Sequence, residues 1–275
     1  MRVSRLGLVL VGALLASACE KDDGPFLAPA VPLAYTRFIN ALPETVSADF
    51  RFIDLLEYSP FALQLRYRQF TPYQGTAPGA RHLRVFTNWG GDSLYLRHTT
   101  QVLGEETPTF EAGKYYTIVA TGFSRAGQTP ALTIQVFEDP SPDAAGNVAF
   151  RVVNLGAGMS AVDVGVTSAS GDAVPAATFS NVPYLGASAY VTRATGDAWF
   201  RVQAAGGGSE LVSGNGRQAP VGIAGDPLAN LTTVGGSNQA GSVVTAYLFP
   251  PSVAGSLATS SDAPTLVFIV DKHPR

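Results

Sequence analysis

The hydrophobic positions of this 275-residue chain recur with a period of two. In FALQLRYRQF (61–70), Phe61, Leu63, Leu65 and Tyr67 fall on one side and Gln64, Arg66 and Arg68 on the other. That is the pattern of a strand with one buried face. YYTIVATGF (115–123) and LTIQVFED (132–139) are rich in β-branched and aromatic residues, which suit a pleated, half-buried surface. Glycine and proline punctuate these runs in NWGGD, EAGK, SRAGQTP, ASGDAVP and AAGGGSE. Beyond the N-terminal segment no window repeats with the helical period. Short strands with turns every 8 to 12 residues or so predict an all-β chain of antiparallel, Ig-like sandwiches.

The pattern is written twice. RFINALPETVSADFRF (37–52) and RVVNLGAGMSAVDVGV (151–166) share Arg, two apolar residues, Asn, eight residues, then Asp between apolar neighbours. TPYQG (71–75) pairs with VPYLG (182–186), GARHLRV (79–85) with GDAWFRV (196–202), GKYYTIV (113–119) with GSVVTAY (241–247), and PALTIQV (130–136) with PTLVFIV (264–270). Five blocks in one order point to a tandem duplication. Each copy is far longer than a solenoid repeat, so each is expected to form a sandwich with its own core, over 33–139 and 147–275, joined by a linker at 140–146. The repeated residues read as structural. Asn40 and Asn154 end a strand, Asp49 and Asp163 are placed to cap backbone N–H groups, and Gly113 and Gly241 sit where a turn needs positive φ.

The N-terminus changes the picture. Arg2 and Arg5 precede an apolar run from Leu6 to Ala16, then Ser17, Ala18 and the only cysteine, Cys19. The run is too short for a spanning helix, which needs about 20 residues. Residues 1–18 read as a signal peptide and Cys19 resembles the lipidated cysteine of a bacterial lipobox, although Ala16 stands where Leu is commonest. The bland alternative is ordinary signal cleavage beside an incidental cysteine. Residues 19–32, with Pro25, Pro29 and Pro32, read as a tether. The expected location is the bacterial envelope, with the protein anchored by acyl chains such as palmitate to the outer membrane, on its periplasmic or its cell-surface side. Charged residues are 14% of the chain and the net charge is −3, which disfavours nucleic acid as a partner because phosphate neutralisation needs a basic surface.

These blocks resemble the DUF4397 family of bacterial extracytoplasmic domains. The residues that carry the resemblance are Arg37-Phe38-Ile39-Asn40 with Asp49-Phe50, Tyr73 and Gly75, Gly113 to Thr117, and in the second copy Arg151 to Asn154, Asp163-Val164, Tyr184 and Gly186. The resemblance implies an exported protein, often lipid-anchored, and implies no activity.

Searching for chemistry yields little. No Gly-x-Ser-x-Gly is present. His82, His98 and His273 have no partner at zinc spacing. GAGMSA (156–161) and GNGRQA (214–219) lack the helix a dinucleotide site requires. No cofactor and no metal is expected. Three features carry functional hypotheses: a basic face of Arg66, Arg68 and Arg84 for polyanions, Trp89 for stacking on a sugar, and Glu138, Asp139, Asp143 and Asn147 for calcium at the junction. A solvated face, hairpin packing and a plain linker are their bland counterparts. The leading reading is a non-catalytic, lipid-anchored envelope protein with a structural or interaction role. Its partners are the membrane, an envelope glycan or another envelope protein. A carbohydrate- or polyanion-binding module is second and an enzyme third.

Overall fold

The computed structural model describes residues 31–88, 101–212, 215–258 and 263–274. Within this range the chain is all-β, and Leu33–Arg275 forms one compact unit. The first half contains β1 (Ala34–Ala41), β2 (Ser47–Phe52), β3 (Phe61–Arg66), β4 (Gln74–Thr76), β5 (Gly79–Ala80), β6 (Leu83–Asn88), β7 (Val102–Glu106), β8 (Thr109–Phe110), β9 (Tyr115–Thr121) and β10 (Thr133–Glu138). The second contains β11 (Val148–Asn154), β12 (Val162–Thr167), β13 (Phe179–Val182), β14 (Val191–Arg193), β15 (Trp199–Ala204), β16 (Arg217–Gln218), β17 (Val243–Phe249) and β18 (Thr265–Lys272).

Four four-stranded sheets result. Their orders are β10-β9-β1-β4 and β3-β2-β6-β7 in the first half, and β18-β17-β11-β14 and β13-β12-β15-β16 in the second; β5 and β8 pair separately. The two halves therefore share one strand order. In each, the sheet containing that half's first strand, β1 or β11, faces its counterpart in the other half and a second sheet lies outside. Alternation along β1 explains the layering. Phe38 and Leu42 enter the core with Phe50, Leu83, Phe110 and Ile118, while Ile39 and Ala41 enter a separate cluster with Val119, Val153, Tyr247 and Phe249. The second half has its own core around Phe150, Val164, Phe200 and Leu248. Each fully buried Phe contributes about 1.5–3 kcal/mol.

The sandwich expectation holds, with one addition that alternation cannot reveal. β1 pairs β9 in parallel and β11 pairs β17 in parallel, while the other ladders are antiparallel.

The single-face reading of 61–67 is corrected. Ala62, Leu65 and Tyr67 are buried, whereas Phe61 and Leu63 are exposed. The partners of Ala48 and Phe50 on β3 are Leu65 and Ala62, so an extra residue is accommodated there, and Gln64 takes φ 53°. A bulge shifts the phase of the alternation and sends the two ends of the run to opposite faces. Two of the block pairings also move. Arg68 and Leu185 both take positive φ and donate their amides to Asn40 and Asn154 respectively, so Tyr184 is the counterpart of Tyr67. Tyr190, three residues before the β14 partner of Val148, is the counterpart of Tyr73. On the last strands, Ile134 opposes Ala120 as Leu266 opposes Leu248. That offset is two residues less than the pairing of PALTIQV with PTLVFIV implies. An even slip keeps every side chain on its face, so the apolar pattern alone does not reveal it.

Candidate functional site

The same alternation that sends Ile39 between the halves sends Arg37 there too, and Arg151 from the equivalent position on β11. Both are buried, at 1% and 3% exposure. Arg37 donates from Nε to Thr117 Oγ1 at 2.7 Å, and from a terminal nitrogen to Tyr247 Oη at 3.0 Å and Asp271 Oδ1 at 2.5 Å. Arg151 donates to Thr245 Oγ1 at 2.8 Å and to Asp139. The acids lie just past the ladder residues of β10 and near the end of β18. Asp139 Oδ2 also accepts from Thr117 Oγ1 at 2.5 Å and Tyr73 Oη at 2.8 Å. Asp271 Oδ2 accepts from Thr245 Oγ1 at 2.5 Å and Tyr190 Oη at 3.1 Å. Tyr73 lies over the Arg37 guanidinium at 4.5 Å and Tyr190 over Arg151 at 5.0 Å. The arrangement is a near two-fold copy of itself, in which each half's arginine meets the other half's aspartate.

This cluster borders a cavity of about 750 Å³, lined by Tyr73, Tyr115, Asp139, Asp271, Lys272 and His273 among others. Electrostatically the two arginines balance the two aspartates. Burial pushes the Tyr73 phenol far above its ordinary range, with Arg37 offsetting only part of that, and burial does the same to Tyr190 and Tyr247. Burial alone would lower the Arg37 pKa; Tyr247, Asp271, Tyr73 and Asp139 more than compensate and hold it raised. The guanidinium and phenol groups keep their protons at neutral pH, and every carboxylate oxygen of the two acids already accepts from a partner. His273 Nδ1 accepts from the Gly235 amide at 2.8 Å. The geometry makes an ion-pair lock.

The residues singled out in the sequence fall in several places. Asp139 belongs to this lock and not to an open calcium loop; among the described residues no group of three or more His, Cys, Asp or Glu is placed to hold a metal. Arg66 and Arg84 both lie on the outer sheet of the first half, Arg66 opposite Ser47 and Arg84 opposite Arg51. Those positions are four residues, or about 13 Å, apart along β2. Arg84 donates to Glu105 at 2.8 Å. Arg68 turns instead toward the second half and donates to the carbonyls of Pro250 and Ala263, so the three arginines do not line one face. Trp89, His98 and Cys19 lie outside the described residues. Asp49 accepts from the Gln64 amide at 2.8 Å, and Asp163 from the Asn181 amide at 2.7 Å. Both caps seat a residue of positive φ at the bulge. Asn40 and Asn154 each bridge two segments, donating to Leu65 or Val182 and accepting from Leu42 or Gly156. Gly113 and Gly241 take φ of 81° and 86° before β9 and β17.

The arginines of the lock escaped the sequence reading as a site. Their one signal is a charged residue on the inward phase of an apolar strand, recurring at the equivalent place in the second half.

Residues 34–165 match the family described as Domain of unknown function (DUF4397). The match runs past the 140–146 segment into β12. No curated protein matches the chain.

Proposed function

Residues 34–165 of this chain belong to the DUF4397 family, whose description assigns no activity, and from that premise we propose a non-catalytic, lipid-anchored envelope protein with a structural or interaction role. The observation that carries the reading is the lock between the halves. The arginines, aspartates and phenols that converge there are committed to one another, which is how a rigid body is built and not how a nucleophile or proton shuttle is presented. The second half is a second copy of the same domain; its matching strand order supports this. Cys19 carries the lipid, and the Pro-containing residues 20–32 hold the body away from the bilayer. Diacyl attachment supplies two chains, enough for stable anchoring at about 0.8 kcal/mol per buried CH₂.

The polyanion-binding alternative has less support, since Arg68 is held by backbone carbonyls and Arg84 by Glu105. Metabolic labelling with a palmitate analogue tests the anchor. The parent protein incorporates label and Cys19→Ala does not, whereas label that persists in Cys19→Ala removes this cysteine as the acylation site. Protease treatment of intact cells then separates a cell-surface from a periplasmic location.

A further inference from the structure

Two loops, one in each half, carry large apolar side chains in water. In the first half the loop between β2 and β3 presents Ile53, Leu56 and Tyr58, all exposed and Leu56 fully so. In the second half residues 221–234 form a hairpin, closed by bridges between Ile223 and Val234 and between Asp226 and Leu231. No residue of that hairpin is buried, so it projects from the body. Ile223 and Leu231 are exposed on it, and Leu228 at its tip is fully exposed. Single exposed apolar residues are ordinary, but groups of them on protrusions mark a contact with a partner or a membrane.

Both loops leave the same end of the body. The Tyr58 carbonyl accepts from the Ala77 amide at 3.2 Å, next to Thr76, which opposes Ala34 at the start of β1. The hairpin is rooted through the Gly235 amide, which donates to His273 Nδ1, and the Gly236 amide, which donates to Ser242 Oγ at 3.0 Å. Gly241 and His273 share the cavity of about 750 Å³ with Tyr115, the first residue of β9. The Gly113 amide, just before β9, donates to the Leu33 carbonyl at 2.8 Å. Leu33 is where residues 19–32 join the body. That segment spans at most about 50 Å when extended, and the hairpin reaches about 15 Å beyond its root. A body stood off by its tether therefore still brings these loops to the surface that holds the lipid.

We propose that the two loops dock the body on the bilayer that carries its anchor, with Leu56 and Leu228 entering the boundary between headgroups and acyl chains. Shape favours lipid over a protein partner: both groups sit on convex tips, and a fluid layer accepts a projecting leucine without a matched pocket. Tyr58 suits the interface, where its ring has an apolar and a wet end. Asp54, Glu57 and Asp226 lie in the same loops, so apolar burial and not attraction to anionic headgroups drives the contact. An acyl anchor alone limits distance, whereas two further contacts also fix orientation. The inference deepens the envelope-anchor reading and rests on it.

The test uses the full chain, isolated from cells and placed in phosphatidylcholine vesicles, with single cysteines introduced by Leu56→Cys, Leu228→Cys and, as control, Ala254→Cys. Ala254 is exposed at the opposite end, where the Val253 amide donates to the Pro43 carbonyl at 3.1 Å in the turn after β1. Each cysteine is labelled with a polarity-sensitive fluorophore, and nitroxide groups on the lipid acyl chains quench whatever enters the bilayer. An acylated Cys19 takes up no label, so the parent chain reports on the anchor separately. Labels at 56 and 228 are expected to shift to shorter wavelength and to lose most of their emission to nitroxide lipid, at high salt as at low, while the label at 254 keeps its emission. Flotation with the vesicles, but quenching at either 56 or 228 no greater than at 254, overturns the proposal, leaves the anchor standing and turns the loops over to a protein partner. Quenching that high salt abolishes overturns the apolar mechanism. A parent chain that takes up label and fails to float overturns the anchor reading and the docking with it.

Discussion

Asp139 is the residue with the most depending on it, since it accepts from Arg151, Tyr73 and Thr117 at once. Its truncation to Ala leaves a buried guanidinium without its counter-charge, and the expected loss is about 3–5 kcal/mol in urea unfolding; a loss below about 1 kcal/mol would mean the lock is not coupled to stability. Asp163 acts differently, at the surface. The amides of Asn181 and Gly206 hold its pKa below the ordinary Asp value of 3.8. A carboxyl depressed in the folded state stabilises at neutral pH, and that contribution disappears as pH falls from 3.8 through the lowered folded value. Asp163→Asn should therefore flatten the acid limb of a stability-against-pH curve and leave its shape unchanged above pH 5 or so. Equal acid limbs in both proteins would refute the capping role.

At the level of strands, the two bulges offer an internal comparison. Gln64 and Asn181 occupy equivalent left-handed positions, at φ 53° and 50°. Asn tolerates that conformation better than other residues with a side chain, and forcing a β-branched residue into it costs about 1–2 kcal/mol. Gln64→Asn is thus expected to be neutral or stabilising by up to about 0.5 kcal/mol, and Asn181→Val destabilising by about 1–2 kcal/mol, both read from thermal melts; a stable Asn181→Val would sink the account. The bulge also marks where the chain's pattern stops being legible. Period-two alternation suffices for the all-β class, because burial of one face imposes it locally. It fails at Leu63, where an inserted residue reverses the phase, and it cannot register a parallel β1–β9 pair, whose partners lie 80 residues apart. The lock was visible only as Arg37 and Arg151 breaking an apolar phase. Glu44, which fixes the 124–125 loop, was not visible at all, since one carboxylate in a turn carries no spacing signal and its partners are made only by the fold.

For the whole molecule, the two halves share a third apolar cluster and the lock, and this joint surface sets the unfolding behaviour. The full chain is expected to melt in one calorimetric transition, and two well-separated transitions would show that the halves are energetically independent. The crossing of charges has a wider reach. Arg37 reaches Asp271 in the other half, and Arg151 reaches back to Asp139. A surface that presents both an arginine and the acid it seeks is complementary to itself under a two-fold rotation. The two halves meet, in that sense, as the subunits of a homodimer do, and a fragment ending after residue 146 carries both halves of the handshake. Separated from its twin, it should find another copy of itself.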